Sequence, residues 1–293
     1  MKILITGSNG QLGSEIQVLS ATYPLYEFLY TDVNELDITD PLQVSRYFSH
    51  NNPDVVINCA AYTAVDKAET DQDTAYLINA TAAGNLAVSA AETGAFMVHI
   101  STDYVFDGTN HRPYVETDSI NPISVYAKTK AAGEKAVLNS ACKAVIIRTS
   151  WLYSAFGNNF VKTMMKYGGE RETMNVVFDQ TGTPTYARDL AKAILDSLPL
   201  AMLSDSTEIY HYSNEGVSSW YDFAKAIFEI SDIKCNLKAI CTKEYPLPAV
   251  RPFYSVLDKS KIKDKLSVEI PYWKDSLSHC IARLRLPASG IGI

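Results

Sequence analysis

A tyrosine and a lysine four residues apart, Tyr126 and Lys130, are the side chains of this sequence best suited to move a proton. Residues at this spacing lie on one face of a helix. An ammonium group held beside a phenol favours the phenolate, so the spacing predicts a Tyr126 pKa below its usual value of about 10. Such a tyrosine exchanges a proton with a carbonyl or alcohol oxygen near neutral pH.

The spacing alone is weak support, because tyrosines and basic residues are common in this chain. With 18 Tyr and 26 Lys and Arg among 293 residues, chance gives between one and two such pairs. The chain has two more, Tyr167 with Arg171 and Tyr221 with Lys225. The position of each pair relative to a nucleotide-binding motif therefore has to decide among the three.

A glycine motif near the start supplies that reference point. Gly7, Gly10 and Gly13 lie between an expected strand at 2–6 and an expected helix at 11–20, where a dinucleotide pyrophosphate docks. Glycines let the backbone turn tightly and approach the phosphates, and the helix N-terminus supplies N–H donors. The motif predicts a dinucleotide site at the start of the chain.

An acidic residue follows at the expected distance. Asp32 stands at the end of the second expected strand, roughly where a ribose-binding acid occurs in such folds. Its charge would repel a 2′-phosphate and so favours NAD(H), while Ser8 and Asn9 leave NADP(H) open. A plain glycine turn with a surface aspartate is the less favoured alternative.

The elements that must position these residues alternate short apolar runs with helical periodicity, as βαβ units do. Strands are expected at 2–6, 27–31, 54–60, 96–101, 144–148 and 209–212. Helices are expected at 11–20, 41–51, 74–93, 125–139, 186–198 and 218–230. The predicted fold is an α/β Rossmann-type doubly wound parallel sheet. The predicted domains are an NAD(P)-binding domain at 1–150 and a smaller α/β substrate-binding lobe at 151–293, from which some segments return to the first domain.

Ligands of doubly wound sheets lie beyond the carboxyl ends of the strands, and this places the chemistry. Ala60 and Ala61 close one strand, and their small side chains would let a flat cofactor pass. Thr102 closes another, and its hydroxyl can bond a substrate oxygen and the tyrosine phenol; a simple capping role is its alternative. Because Tyr126 and Lys130 begin the next helix of the same half, placement favours this pair over the other two.

Composition restricts the class of protein. A net charge of -7 and a pI near 5.3 argue against a nucleic-acid or anionic-membrane surface. No apolar stretch approaches the roughly 20 residues of a membrane span. Five cysteines without a CxxC pair indicate reduced thiols in a cytoplasmic protein, and the five scattered histidines show no metal-ligand spacing. The apolar tail after Leu286 is expected to be disordered.

Taken together, the motifs resemble the extended short-chain dehydrogenase/reductase superfamily, which combines Gly-x-x-Gly-x-x-Gly, a Ser or Thr at a strand end and Tyr-x-x-x-Lys. Within it the chain is similar, nearly end to end, to the dTDP-4-dehydrorhamnose reductase family. The most specific shared motifs are Thr-Asp-Tyr-Val-Phe-Asp-Gly at 102–108 and Asp-Gln-x-Gly-x-Pro-Thr at 179–185. Further matches lie at 37–39, 60–66, 148–151 and 251–252.

The resemblance implies NADPH- or NADH-dependent reduction of the C4 ketone of dTDP-4-dehydro-L-rhamnose. Tyr126 would donate the proton, Lys130 would lower the Tyr126 pKa and hold the nicotinamide ribose, and Thr102 would orient the carbonyl. Implied cofactor contacts are Gly7, Gly10, Gln11, Leu12, Gly13, Asp32, Asp37, Ile38, Ala60, Ala61, Tyr62, Tyr126 and Lys130. Implied substrate contacts are Thr102, Asp103, Tyr104 and Trp151. A core position is an equal alternative for Trp151.

The resemblance also bears on assembly. Some family members are described with a magnesium ion at a dimer contact built from glutamates. Glu15 matches one such glutamate, but Arg188 stands where a second would be needed. A homodimer therefore stays open, and no metal site is expected.

Two alternatives come from related proteins. A dehydratase or epimerase acting on nucleotide sugars has the same fold, but related dehydratases carry Asp-Glu directly after the strand-end Thr, whereas Tyr104 follows Asp103 here. An epimerase would keep its cofactor bound and consume no NADH. The other alternative is a non-catalytic NADP-binding regulatory subunit resembling the β subunit of methionine adenosyltransferase. The presence of Thr102, Tyr126 and Lys130 favours catalysis.

Overall fold

The computed structural model describes residues 1–286. Its strands, numbered along the chain, are β1 Lys2–Thr6, β2 Glu27–Thr31, β3 Val55–Asn58, β4 Phe96–Thr102, β5 Ala144–Thr149, β6 Leu152–Tyr153, β7 Thr173–Val177, β8 Thr181–Gly182, β9 Thr185–Tyr186, β10 Glu208–His211, β11 Ser218–Ser219 and β12 Asn236–Ile240. Its α-helices are α1 Gln11–Ser20, α2 Pro41–Asn51, α3 Val65–Ala68, α4 Gln72–Tyr76, α5 Ala82–Thr93, α6 Val125–Leu138, α7 Phe160–Glu170, α8 Ala187–Ala201, α9 Trp220–Ser231, α10 Ser260–Leu266 and α11 Trp273–Leu284. The tail after Leu286, expected to be disordered, lies outside the described residues.

Six strands form one sheet in the order β10-β5-β4-β3-β1-β2, and every neighbouring pair is parallel. The order runs outward from β1 in both directions, so helices must cross on both faces. The predicted doubly wound sheet is confirmed. The order also brings the carboxyl ends of β1, β3 and β4 side by side, which is where the predicted site lies.

Alternation along the strands divides the core into two layers. Ile3 and Ile5 of β1 pack with residues of α1 and α8, whereas Leu4 packs with residues of α2 and α5 on the other face. The same alternation holds in β3, β4 and β5, whose residues are almost all buried. Strands covered on both faces have the continuous apolar sequences that the chain shows.

The chain beyond β5 builds a second layered region, which we call the lobe: β6 to β9, β11 and β12 with α7, α9 and α11. Its own core is formed by α7, α9, α11 and β7. Two segments between these elements return to the sheet, because β10 pairs with β5 and α8 packs against α1. Residues 245–252 form an extended loop, as the proline spacing predicts.

The helix expected at 74–93 is interrupted. Between α4 and α5 the backbone makes a π-helical turn at Leu77–Thr81. The buried Asn79 side chain accepts the Tyr62 N–H at 2.8 Å and donates to the Tyr62 carbonyl at 3.1 Å and to the Thr129 hydroxyl at 3.0 Å. The wide turn directs this side chain inward, between the loop after β3 and the face of α6 that carries Tyr126.

No helix within residues 1–286 has the length and apolar character needed to cross a membrane.

Candidate active site

The glycine motif forms a closed turn between β1 and α1. Gly7 has φ +64°, and a Cβ there would lie 2.6 Å from the Ala60 Cα. A Cβ on Gly13 would lie 2.6 Å from the Gly7 carbonyl oxygen. Both positions therefore exclude any larger residue. The first turn of α1 has no side-chain cap and no acidic residue, so its N–H groups face outward to accept an anion such as a pyrophosphate.

Asp32 lies against this turn, as expected from its position after β2. Its carboxylate accepts the Asn9 N–H at 3.1 Å and the Val33 N–H at 2.8 Å. Asn9 is exposed and Asp32 half-buried, so the carboxylate borders the space above the glycine turn. This geometry fits a dinucleotide whose pyrophosphate rests on α1 and whose ribose lies near Asp32.

The other expected cofactor contacts are of two kinds. Some residues can offer a cofactor only backbone atoms, and others have polar side chains that are already hydrogen-bonded within the protein. Leu12 and Ile38 have side chains buried in the core, so they present backbone. The Asp37 carboxylate accepts both the N–H and the hydroxyl of Thr39, at 2.9 and 2.7 Å, which closes a turn beside α2. Gln11 bonds Asn159 of the lobe at 3.0 Å. The hydroxyl of Tyr62 donates to Asp71 at 2.9 Å.

Thr102, Tyr126 and Lys130 come together at the end of β4. The Thr102 hydroxyl lies near enough to the Tyr126 phenol to favour its ionised form. The Lys130 ammonium donates to the Ile100 carbonyl at 2.6 Å, two residues before that strand end. Ser124 caps α6 by accepting the Ala127 N–H at 3.3 Å, which fixes the start of the helix and hence both side chains.

The prediction of a Tyr126 pKa below its usual value is wrong for this structure. Burial raises the pKa of Tyr126 to about 12, and the nearby Asp103 adds to the increase, while the bond from Thr102 opposes it. Burial also lowers the pKa of Lys130 to about 8, against the effect of Glu134. The spacing placed the pair correctly on one helix face, but it could not show that desolvation would dominate both groups.

The acidic residue after the strand end is buried beneath the tyrosine. Asp103 is 2% exposed and accepts the Thr102 hydroxyl at 3.0 Å, and its other oxygen has no hydrogen-bond partner. Burial raises its pKa to about 7, although bonds from Ser255 and Thr102 oppose the shift. A carboxyl that exchanges its proton near neutral pH therefore lies beside the Thr102–Tyr126 pair.

Tyr104 connects these residues with the loop at 245–252. Its ring meets the Tyr126 ring edge-on, with centroids 6.1 Å apart. The Arg251 guanidinium forms a bidentate ion pair with Asp66, at 3.0 and 2.6 Å, and its charge opposes the rise of the Tyr104 pKa. The ion pair lowers the pKa of Asp66, and it holds the loop at 245–252 next to the strand ends.

A cleft of about 490 Å³ opens on the lobe side of Arg251, within the usual size of small-ligand sites. Its walls are mainly aromatic and aliphatic, with amide groups at Asn175 and Gln180. Arg251 is the charged side chain among the residues that line it. An apolar cleft with two amides and a cation suits a planar, anionic ligand such as a nucleotide.

Trp151 packs against other residues of the lobe and also lies next to the cleft. Its ring stacks on Trp220, which lines the cleft, with centroids 3.7 Å apart and planes 10° from parallel. Its backbone has φ +45°, and a Cβ on Gly182 would lie 2.8 Å from its ring. Trp151 is half-buried, so a ligand contact stays a prediction.

Neither of the other tyrosine–cation pairs adjoins these residues. Tyr167 lies on α7, and the Arg171 guanidinium lies 4.5 Å from its ring centroid. Tyr221 and the exposed Lys225 lie on α9 in the lobe. Of the three tyrosines, Tyr126 is therefore the one that lies at the strand ends, and its catalytic role stays a prediction.

The sequence reasoning missed two buried residues that hold the site. Asn79 joins the Tyr62 loop to α6, and a π-helical turn has no recognisable sequence signal. Glu134 lies one helical turn beyond Lys130, 2% exposed, and pairs with Arg148 at 2.8 Å. The spacing of Tyr126, Lys130 and Glu134 at intervals of four residues was a signal that could have revealed it.

Glu15, the position considered for a metal, is fully buried between α1 and the lobe. It accepts the Ser154 hydroxyl at 2.6 Å and the Arg283 guanidinium at 2.7 Å, and Arg188 lies 3.5 Å away. Within residues 1–286 no three His, Cys, Asp or Glu side chains converge as a metal site would require.

Comparison with known proteins relates this geometry to one family. Residues 1–286 match the family model described as the RmlD substrate binding domain. The chain is 40% identical to the dTDP-4-dehydrorhamnose reductase of Aggregatibacter actinomycetemcomitans over 286 residues, covering 95% of this chain and 97% of that protein.

Two solved structures are similar over almost the whole chain. The crystal structure of a dTDP-4-dehydrorhamnose reductase from Clostridium acetobutylicum superposes with a TM-score of 0.93 and 46% identity, covering 98% of this chain and all of that one. The same enzyme from Bacillus anthracis, in complex with NADP, gives a TM-score of 0.91 and 41% identity, covering 96% and 98%.

Proposed function

The chain belongs to the RmlD substrate binding domain family, and from this premise we propose that it reduces the C4 ketone of dTDP-4-dehydro-L-rhamnose to dTDP-L-rhamnose. The observation that carries the proposal is the placement of the Thr102 hydroxyl beside the Tyr126 phenol, one helical turn from a buried Lys130 and beside the strand ends that border the glycine turn. This is the donor arrangement that carbonyl reduction needs.

NADPH or NADH is the proposed cofactor, held by the glycine turn, the first turn of α1 and the residues after β3. When bound, it supplies the hydride that reduces the ketone carbon. Gly7 and Gly13 leave room for the pyrophosphate, and Asp32 borders the ribose. We infer that residues 1–150, with the returning α8 and β10, form the cofactor half.

Tyr126 donates the proton to the carbonyl oxygen as it gains charge. Thr102 orients that oxygen through its hydroxyl, which lies beside the phenol. Because burial raises the Tyr126 pKa to about 12, Tyr126 is protonated and ready to donate across the physiological range. The Lys130 ammonium then stabilises the phenolate that remains, since opposite charges in a buried site interact strongly.

The lobe binds the sugar nucleotide in the cleft of about 490 Å³. Tyr104 contacts the Tyr126 ring, Asp103 precedes Tyr104 in the chain, and Trp151 stacks on Trp220 of the cleft, so we expect the sugar to meet these residues. Tyr104 stands where related dehydratases carry a glutamate, and its pKa is raised by burial, so it cannot serve as a carboxylate base. This observation favours a reductase over a dehydratase.

The same proposal also bears on the compartment in which the protein acts, on the class of ligand it binds and on its assembly. The cysteines at 59, 142, 235, 241 and 280 are all unpaired, and a nicotinamide cofactor and reduced thiols suit the cytoplasm. The acidic surface fits a small-molecule substrate rather than nucleic acid. If the chain forms a homodimer, Glu15 needs no metal bridge, because Arg283 already neutralises it.

The proposal is tested by following NADPH and NADH oxidation with a panel of nucleotide 4-keto sugars. We expect oxidation with dTDP-4-dehydro-L-rhamnose, one reduced cofactor consumed for each sugar reduced. Conversion of the sugar without net cofactor oxidation would instead identify an epimerase. Cofactor binding without turnover of any sugar, together with a stable protein partner, would identify a regulatory subunit.

A further inference from the structure

A buried carboxylate that the proposed reaction does not use lies next to its lysine. Glu134 follows Lys130 by one turn of α6 and is 2% exposed. It accepts the Ser101 hydroxyl at 2.5 Å and two Arg148 nitrogens, at 2.9 and 2.8 Å. Arg148 is 3% exposed on β5. Three charged side chains, two positive and one negative, are therefore buried together.

The hydrogen bonds of Glu134 connect it with the reacting groups through a single strand. Ser101 lies between Ile100, whose carbonyl accepts the Lys130 ammonium at 2.6 Å, and Thr102. Three consecutive residues of β4 thus hold Lys130, Glu134 and the Tyr126 phenol. A shift of the Glu134 carboxylate would move the strand end that places all three.

Stability alone is a poor reason for a buried ion pair. Desolvation of the two charges commonly offsets their attraction, and well-packed apolar residues often replace such pairs without loss. The Glu134–Arg148 pair has one neighbour that an apolar pair could not serve, the buried Lys130 ammonium. The electrostatic effect on Lys130 therefore explains why a charge is kept at this position.

We propose that Glu134 is a positioning residue that keeps Lys130 charged during turnover, while Arg148 and Ser101 hold the Glu134 carboxylate in place. The inference rests on the proposed carbonyl reduction, in which Lys130 must be an ammonium to stabilise the Tyr126 phenolate. Burial lowers the Lys130 pKa to about 8, and Glu134 raises it against this effect. Without the carboxylate, Lys130 loses its charge closer to neutral pH.

Other ionisable groups around Lys130 do not replace this effect. His99 of β4 has its pKa lowered by burial and by Lys130, so it is neutral near pH 7. The pKa values of Tyr126 and Tyr104 are raised, so both are neutral. Asp103, with a pKa of about 7, is charged while Lys130 titrates, but its charge acts on these two tyrosines, and burial and Glu134 are what shift the Lys130 pKa. The π-helical turn against α6 carries no ionisable side chain. The remaining ionisable side chains on helices packed against α6 are half-buried or exposed: Asp66, Lys67, Asp73, Tyr76 and Glu92.

The test is the pH profile of kcat/KM, measured with NADPH and the keto sugar from pH 6 to 9.5. Glu134→Gln keeps the size and one acceptor oxygen but removes the charge. We expect its basic limb to move down by about one pH unit. Glu134→Asp, which keeps the charge, should restore the wild-type limb. Ser101→Ala loses the bond at 2.5 Å but keeps the charge, so its basic limb should move by less than that of Glu134→Gln.

A second variant covers the case in which Glu134→Gln fails to fold because Arg148 is left unpaired. The double variant Glu134→Gln with Arg148→Met removes both charges and avoids a buried unpaired guanidinium. Because the positive charge of Arg148 is lost as well, the double variant is compared with Arg148→Met, which keeps Glu134, and its basic limb should lie at lower pH. A basic limb of folded Glu134→Gln that coincides with that of the wild type, or a double variant that coincides with Arg148→Met, would overturn the proposal and leave Glu134 a purely structural role.

Failure of this inference can be told apart from failure of the proposed function. If the wild-type protein turns over the keto sugar and the variant profile does not move, only the role of Glu134 is wrong. If no sugar is turned over, the Lys130 side chain can still be titrated by NMR with ¹³C-labelled lysine, its signal assigned through Lys130→Met. Glu134→Gln should lower that midpoint as well, and an unchanged midpoint contradicts the proposal.

Discussion

Two of the three tyrosine–cation pairs, Tyr126 with Lys130 in the sheet half and Tyr167 with Arg171 in the lobe, share the same spacing but differ in their surroundings. On α6 the pair Tyr126 and Lys130 is held by Thr102 and the Ile100 carbonyl, and burial shifts both pKa values. On α7 the exposed Arg171 simply covers the Tyr167 ring. Helical spacing brings two side chains together, but the surrounding strand ends decide whether they can perform chemistry.

The largest effect on kcat should come from removing the phenol oxygen of the α6 pair. Tyr126→Phe should lower kcat roughly 10³-fold, because the proton donor is lost, and leave the Kd for NADPH within about threefold. Tyr167→Phe, its matched control, should leave kcat unchanged. Steady-state NADPH oxidation and fluorescence titration measure both quantities. Near-normal turnover by Tyr126→Phe would contradict the proposed mechanism.

Replacing the cation of each pair should give the next largest difference in kcat. Lys130→Met should reduce kcat about 10²-fold, since the phenolate loses its stabilising charge, and should also raise the KM for NADPH. Arg171→Met removes only a surface cation–π contact, worth at most about 1 kcal/mol. Its kcat should equal that of the wild type, with a small fall in Tm. Equal losses of activity in the two variants would mean that the α6 pair has no special role.

Two aspartates of one motif show the same contrast between buried and solvated surroundings. Burial raises the pKa of Asp103 to about 7, whereas hydrogen bonds from Asn121 and Thr109 lower that of Asp107 to about 2. A raised pKa in the folded state means that stability is lost as the pH rises towards that value. Wild-type stability should therefore fall, relative to Asp103→Asn, by about 1.4 kcal/mol per unit between roughly pH 4 and 7.

Urea unfolding of both proteins at several pH values measures this difference. Asp107→Asn is the control. The lowered pKa of Asp107 keeps this carboxylate charged in the wild type above about pH 5. The difference in the free energy of unfolding between Asp107→Asn and the wild type should therefore be nearly constant above that pH. A difference between Asp103→Asn and the wild type that does not change with pH would show that Asp103 is solvated.

Sequence patterns were sufficient for the parts of the site that depend on local structure. The apolar runs placed the sheet strands to within a few residues, and the glycine motif located the turn because close backbone contact there excludes side chains. The chosen tyrosine pair was also correctly placed on α6. These features depend on neighbours in sequence.

The remainder depends on groups distant in the chain. The Lys130 bond to Ile100 spans 30 residues, and the Arg251 bond to Asp66 spans 185. Burial of Tyr126, which reversed the expected pKa shift, arises only when the elements pack. The π-helical turn at Leu77–Thr81 depends in the same way on the contacts of Asn79. No pattern along the chain states these contacts.

The smallest effect, no change at all on removal of metal ions, is expected at the contact that joins the sheet half to the lobe. Glu15 of α1 meets Arg283 of α11 at 2.7 Å and lies 3.5 Å from Arg188 of α8. A buried carboxylate that already has guanidinium partners has little capacity for a divalent cation, because binding one would displace or repel them. Excess EDTA should therefore leave kcat and the sedimentation coefficient unchanged, and added Mg²⁺ should not alter either. A loss of activity or a change in mass on chelation, reversed by Mg²⁺, would show that a cation joins these regions after all.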